Sequence, residues 1–194
     1  MTERLLAVPD GYDPSSQAIV GLMAAGLDDL SRRLRETVAG LEVEHLEWQE
    51  HPGRSTIGML MAHLAASEIG YFYVACAGLS YQDAKPILHE HLGIDWDGVL
   101  VGIHATSLKG RDLDGYLDLL ARARRATHEL LKTWDDLSLG RTLGGAGTGM
   151  TISHRWLLYH VLEHFAAHFG QICSVLHCMR DRDVPGLPKK RVVF

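Results

Sequence analysis

One segment constrains the fold more than any other, because residues 56–78 would be apolar on nearly every side of a helix. Its central part reads MLMAHLAASEIGYFYVA, and His63 and Glu68 are its polar exceptions. A helix that is apolar all round is normally buried by other elements rather than laid on a surface. Ser55 or Thr56 can cap its start. We therefore predict a core helix over 56–78, with further helices packed around it.

Three other segments have apolar residues at helical spacing. The first runs from Ser15 or Ser16, as its cap, to about Val38, and the third covers about 113–136 behind the cap Asp112. The fourth begins after a cap at Thr151 or Ser153 and ends near Met179. No strand pattern of period two persists anywhere, so the predicted fold class is all-α.

Four long helices predict an antiparallel four-helix bundle. Residues 79–110 are broken by Pro86 and four glycines, and we expect them to form a long crossover between helices 2 and 3. A connection of this length permits an up-up-down-down order of the helices rather than simple alternation. Residues 140–149 contain five glycines and lack the ending of a phosphate-binding loop, which favours a flexible connection. The whole chain, 1–194, is predicted to be a single domain with its core over about 15–180.

Composition narrows the classes of partner. The 194 residues carry a formal net charge of −5, which argues against nucleic acid as a partner. No stretch approaches about 18 uncharged apolar residues, so we expect no membrane span and no membrane partner. Three scattered cysteines are too few for a disulfide framework, which is typical of reduced thiols in a cytoplasmic protein.

Histidine is the unusual residue of this chain, and His160, His164 and His168 are four apart in the fourth helix. Residues at this spacing share one helix face with Cβ atoms about 5–6 Å apart, close enough for two imidazoles to bind one metal ion. The pairs His160/His164 and His164/His168 both have the required spacing, and spacing alone does not choose between them. The alternative is a set of core histidines that are hydrogen-bonded to carbonyls or carboxylates.

His63 is the natural third ligand, because it is a lone imidazole on a helix expected to be buried. Three histidines from two helices would leave one position of a metal ion open for water or substrate, as in catalytic sites. Imidazole suits zinc, nickel, iron or copper, and we expect zinc or nickel. Gln171 follows the histidine row and could hydrogen-bond a ligand or neighbouring backbone.

The catalytic residues are not identified by the sequence, and Glu68, Glu163 and His160 are weak candidates. His160 could orient a metal ligand, and either carboxylate could act as a base near a metal-bound water. For these residues an ordinary ion pair or an exposed position is the favoured alternative. Tyr71 and Trp156 are assigned to the core.

Two motifs in the chain resemble the DinB/YfiT-like superfamily of metal-binding four-helix bundles. Residues 55–64 read STIGMLMAHL, beside the family pattern W/S-I-x-x-L-L-x-H-L of its second helix. Residues 164–171 read HFAAHFGQ, beside the pattern H-x-x-x-H-R-G-Q of its last long helix. Phe169 stands where the family often has arginine, which removes a positive charge near the site.

The resemblance implies a metal triad of His63, His164 and His168. It also implies a thiol S-transferase type of enzyme, in which a metal-activated low-molecular-weight thiol, such as bacillithiol, mycothiol or glutathione, attacks an electrophilic small-molecule substrate. A homodimer is expected from the family and from the apolar faces. The alternatives are a metal-dependent hydrolase, a non-catalytic metal-binding or stress-related interaction module, and a bundle without metal.

Overall fold

The computed structural model describes residues 6–79, 84–94, 108–144 and 151–189, and these are mostly helical. In chain order the α-helices are α1 Ala18–Val38, α2 Val43–Leu46, α3 Ile57–Ile69, α4 Ala84–Leu92, α5 Leu113–Leu131 and α6 His154–Asp181. A π-helical segment, Gly70–Ala75, continues α3, and Ser138–Gly140 forms a 3₁₀ turn. Two short strands, β1 Thr142–Gly144 and β2 Thr151–Ser153, precede α6.

Three of the predicted helix starts are confirmed by their caps. The side chain of Thr56 accepts the amide of Met59 at 3.0 Å and opens α3. The side chain of Asp112 accepts the amide of Gly115 at 2.8 Å and opens α5, and that of Ser153 opens α6. Such caps satisfy amides that the first turn of a helix leaves without partners.

The predicted start of α1 is wrong. Neither Ser15 nor Ser16 caps this helix, because both hydroxyls donate to the carboxylate of Asp13. Instead, the amides of Ile19 and Val20 donate to the carboxylate of Asp136 at 3.0–3.1 Å. Asp136 is distant in sequence, so the cap forms only when the chain after α5 packs against α1.

Helix α3 occupies the core, as its apolar sequence predicts. All thirteen of its residues are buried, and it packs against α5, α6 and α4. Ile57–Ala75 is long and apolar enough to span a membrane by length and composition, yet 78% of its apolar window is buried inside the protein. The helix predicted over 56–78 changes to π-helical geometry at Gly70 and ends at Ala75.

The order of contacts shows that α3 and α5 run in the same direction. A side chain on Gly58 would meet Tyr116, and ten residues further along α3 Glu68 pairs with Arg124 on α5. The contacts therefore advance along both helices together. This neighbouring pair is parallel, whereas the sequence predicts an antiparallel arrangement.

The described ranges are mostly helical, as the predicted all-α class requires, and they contain one pair of short strands that the sequence did not indicate. Strands β1 and β2 are antiparallel, with Thr142 opposite Ser153 and Gly144 opposite Thr151. Three residues per strand are too few for a period-two pattern to stand out in the sequence. Half of the predicted flexible connection over 140–149 lies outside the described residues, as does much of the predicted crossover over 79–110, which includes α4.

Candidate metal centre

Three imidazoles meet between α3 and α6, and they are His63, His164 and His168. The Nε2 atom of His164 lies 3.2 Å from Nε2 of His63 and 3.2 Å from Nε2 of His168. Each residue offers one ligand nitrogen, and the three nitrogens all lie within 4.8 Å of one another. The spacing left open which pair on α6 belongs with His63, and the structure brings together His164 and His168.

The separation of the nitrogens fits a tetrahedral metal ion. With Zn–N bonds of about 2.0–2.1 Å, two ligand nitrogens at the tetrahedral angle are about 3.3–3.4 Å apart. The two measured Nε2–Nε2 distances of 3.2 Å are close to that value. Three imidazole nitrogens are also a donor set that zinc, nickel, iron and copper accept. These residues could therefore hold a divalent transition metal and leave one position for a further ligand.

Gln171 determines how His168 presents its ring. Nδ1 of His168 lies 2.7 Å from Oε1 of Gln171, and since a carbonyl oxygen can only accept, Nδ1 carries the hydrogen. The Nε2 atom of the neutral ring then has a free lone pair and faces His164. A hydrogen bond to the second ring nitrogen is the usual support of a metal-binding histidine. It is one of the two roles that the sequence allowed for Gln171.

The environment of His164 keeps its ring neutral. Burial, and after it positive charge on His168, His63 and His160, lower its pKa from 6.5 to about 3. A neutral imidazole has the lone pair that a metal needs, so protons do not compete with a metal for His164 near neutral pH.

His160 lies beside the triad but is not part of it. Its Nε2 atom is 2.8 Å from the hydroxyl of Tyr71, and its ring stacks on Trp156 with centroids 4.5 Å apart. Its other nitrogen, Nδ1, lies 3.5 Å from Glu163, whose side chain is 55% exposed. These contacts hold the ring at the edge of the site, where it touches both Tyr71 and an acidic side chain.

Tyr71 was assigned to the core from the sequence, and the structure places it next to the triad. Its ring centroid is 5.8 Å from that of His164, and burial raises the pKa of its hydroxyl. It belongs to the π-helical segment, a geometry frequent at functional sites. The signal that could have found it is a hydroxyl about two turns after His63 on the same helix. Trp156, also assigned to the core, is 41% exposed.

Glu68 is not brought into the triad. It is 2% exposed, and both its oxygens accept from Arg124, at 2.8 and 2.9 Å. The guanidinium of Arg124 reaches Asp28 as well, at 3.3 Å, and Asp28 also contacts His128 at 3.0 Å. The carboxylate of Glu68 is thus engaged in a buried ion pair between α3 and α5.

A cation lies near residue 169, the position at which the family pattern often has arginine. Phe169 is buried, and the guanidinium carbon of Arg33, from α1, lies 5.5 Å from its ring centroid. A cation over an aromatic face is a favourable contact. A cation from another helix therefore lies over the ring of Phe169.

Comparisons with known proteins agree with this fold. A sequence profile of the DinB superfamily matches residues 27–172. A conserved protein from Enterococcus faecalis has a similar crystal structure, with a TM-score of 0.61, 16% identity, and coverage of 84% of this chain and 98% of the other. A DinB-like protein from Bacillus cereus gives a TM-score of 0.46 at 15% identity, over 84% and 96% of the two chains. Among curated proteins none matches.

Proposed function

Because the chain belongs to the DinB superfamily, we propose that it binds one divalent transition metal and catalyses a reaction of the thiol S-transferase type. The observation that carries the proposal is the convergence of three Nε2 atoms, from His63, His164 and His168, within 4.8 Å of one another. The expected metal is zinc or nickel, and the expected co-substrate is a low-molecular-weight thiol.

The chemistry requires a thiol that is a nucleophile at neutral pH. A bound divalent metal supplies this, since a coordinated thiol is deprotonated outright. The chain's own residues prepare the site: Gln171 orients His168, and burial keeps His164 neutral. Tyr71, whose hydroxyl is bonded to His160, places a polar group beside the triad where it can contact a substrate.

The proposed partners are a small-molecule substrate and a second copy of the chain. A formal net charge of −5 disfavours nucleic acid, which attracts basic surfaces. Ile57–Ala75 is engaged within the protein core rather than free to contact lipid. The homodimer rests on the family resemblance and on exposed apolar side chains, among them Ile19 and Leu22 of α1.

For the architecture, we propose a single domain in which α1, α3, α5 and α6 form a four-helix bundle. The contacts support this, because α3 packs on α5 and α6, and α1 packs on the same two helices. The consecutive long helices α3 and α5 run in the same direction, so the chain between them must return along the bundle. The proposed crossover over 79–110 serves that purpose.

The second candidate is a metal-binding protein without thiol chemistry, either a hydrolase or a non-catalytic module. A structural metal site is closed by a fourth protein ligand, and His160 is the residue in α6 that could provide it. Its Nε2 atom is bonded to Tyr71 at 2.8 Å instead. This observation favours an open site, which thiol transfer and hydrolysis both require.

The first experiment is metal analysis of the purified protein and of two variants. We expect about one divalent transition metal per chain, a strong loss in His63→Ala, and retention in the matched control His160→Ala. Undiminished metal in His63→Ala would rule out the triad. Loss in His160→Ala equal to that in His63→Ala would favour a closed, four-histidine site.

The second experiment tests the reaction. Conjugation of monochlorobimane with glutathione, bacillithiol or mycothiol is followed by fluorescence, with His63→Ala as the background. We expect one thiol to be conjugated faster by the native protein than by the variant. If the native protein binds metal but conjugates every thiol at the same rate as His63→Ala, the result would favour the second candidate, a metal-binding protein without thiol chemistry.

A further inference from the structure

A cavity of about 290 Å³ is lined in part by Gln171, the residue that holds His168 of the triad. It is formed by the end of the α2–α3 connection and by α6. Its lining residues are Trp48, Glu50, Arg54, Ser55, Gln171, Ser174, Val175 and Cys178. The volume is close to the lower end of the range for small-molecule sites, about 300–1,000 Å³.

The cavity combines an apolar wall with polar groups that have no partner in the part of the chain that the structure describes. Trp48 and Val175 supply the apolar surface. The hydroxyls of Ser55 and Ser174 make no hydrogen bond to described residues, and neither does the amide nitrogen of Gln171, whose oxygen is used by His168. A concave site with a few convergent polar groups is typical of ligand pockets.

The charges around the cavity favour an anion. The guanidinium of Arg54 has no ion pair within the described ranges, while its backbone is held by His51 and Gln49. Glu50 is the acidic residue of the lining, and Arg182 neutralises it at 3.0 Å. Ser55 adjoins the start of α3, where the partial positive charge of a helix N-terminus adds to that of Arg54.

We propose that this cavity binds a small organic carboxylate with an aromatic or apolar body. Arg54 pairs with the carboxylate, the body packs on Trp48 and Val175, and hydroxyl groups from Ser55 and Ser174 replace water. Guanidinium–carboxylate bonds are charge-assisted and among the stronger hydrogen bonds in proteins. Since Gln171 both lines the cavity and holds His168, the occupant lies one side chain away from the triad.

The test uses 3-phenylpropionate and the full-length protein, without thiol or electrophile. Nuclear magnetic resonance follows the indole N–H of Trp48, assigned by Trp48→Phe. We expect a saturable shift with a dissociation constant of about 1–10 mM, the affinity ordinary for a ligand of this size. The indole N–H of Trp156, at the other end of α6, should not shift.

Four comparisons isolate the charge and the cavity. Arg54→Gln, a substitution at an exposed position, should weaken the binding of 3-phenylpropionate at least about fivefold. The neutral analogue 3-phenylpropionamide should bind the native protein at least about fivefold more weakly than 3-phenylpropionate does. Arg155→Gln removes an exposed cation that lies on α6, about 24 Å along the helix from Gln171, and should change nothing. Ser174→Phe fills the cavity and should abolish the shift.

The proposal is overturned if Trp48 does not shift up to 20 mM 3-phenylpropionate. It is equally overturned if the Arg54→Gln variant binds 3-phenylpropionate as tightly as the native protein does. The same holds if the native protein binds 3-phenylpropionamide as tightly as 3-phenylpropionate. The measurement involves no catalysis, so a failure of thiol conjugation would leave this site standing. A failure here would leave the histidine triad and its metal unaffected.

Discussion

Nδ1 of His168 donates a hydrogen bond to Oε1 of Gln171, and the two atoms are 2.7 Å apart. The bond links a metal-facing ring to a residue that lines a separate cavity. It also holds the ring in the tautomer whose free nitrogen faces His164. Gln171 is thus the residue that connects the two candidate sites of this protein.

Replacing Gln171 should weaken metal binding without removing a ligand. We expect Gln171→Leu to lower the affinity for zinc or nickel about 10–100-fold, the usual effect of losing a partner of a metal-binding histidine. Gln171→Glu keeps an acceptor oxygen and should retain most of the affinity. Isothermal titration of both variants measures the difference, and equal affinities in Gln171→Leu and the native protein would contradict the assignment.

Removing the metal should destabilise the fold. A ligand at 100 times its dissociation constant stabilises the native state by about 2.7 kcal/mol. For a protein of 194 residues this corresponds to a fall in Tm of about 5–11 °C when a chelator is added. His164→Ala should show no such fall, because it cannot assemble the triad. A chelator effect of the same size in His164→Ala would mean that the metal lies elsewhere.

The buried pair of Glu68 and Arg124 should be important for stability rather than for catalysis. Glu68→Ala leaves the guanidinium of Arg124 buried with Asp28 as its one acidic partner among the described residues, and we expect a loss of about 3–5 kcal/mol in the free energy of unfolding. The double variant Glu68→Leu/Arg124→Leu removes both charges and should lose less. Glu163→Gln, at an exposed position, should stay within about 0.5 kcal/mol of the native protein. Urea unfolding of the three variants decides the outcome.

The metal-free protein should lose stability as the pH falls below 6.5. His164 has a pKa of about 3 when folded and an ordinary value of 6.5 when unfolded, so between these values only the unfolded chain binds the proton. Stability is therefore fully present above pH 6.5 and declines toward pH 3. His154, whose pKa is also lowered by burial, acts in the same direction.

Urea unfolding at pH 7.5 and pH 5, with chelator present, measures this dependence. The native protein should lose more stability between the two pH values than His164→Gln does, since the variant lacks the buried imidazole but retains His154. An identical loss in the two proteins would show that His164 is not the group responsible.

Two glycines of the long helices should respond oppositely to alanine. A Cβ on Gly58 would lie 2.6 Å from the ring of Tyr116, which is 1% exposed and bonded to Leu108, so Gly58→Ala should cost about 1–3 kcal/mol. A Cβ on Gly170, in α6, meets nothing within 4 Å, and Gly170→Ala should gain about 0.5–1 kcal/mol. Thermal or urea unfolding compares them, and a Gly58→Ala variant as stable as the native protein would contradict the packing described for α3 and α5.

The parts of this fold that were predicted correctly depend on local chemistry. The caps Thr56, Asp112 and Ser153 each act on the amide three residues later, so the sequence near each helix start is sufficient to identify them. The cap of α1 was missed because Asp136 reaches it from the other side of α5. The short hairpin was missed for a related reason, since its two strands are too brief to show a pattern of their own.

The same distinction between local contacts and contacts distant in sequence applies to the candidate site. The spacing of histidines in α6 indicated a metal ligand pair, and the apolar surroundings of His63 singled it out as the third. Spacing could not choose between His160 and His168, because both lie one turn from His164. The structure separates them through their partners, Tyr71 for His160 and Gln171 for His168, and neither contact has a local sequence signal.

His63 and His164 are 101 residues apart in the chain, yet their Nε2 atoms lie 3.2 Å from each other. A metal held by both would act as a staple that closes about half of the polypeptide into a loop. Clips that close long loops take more entropy from the unfolded chain than clips that close short ones. Fraying of either terminus would leave such a metal link in place, whereas any opening that parts α3 from α6 would release the metal. Loss of metal would therefore report the separation of α3 from α6.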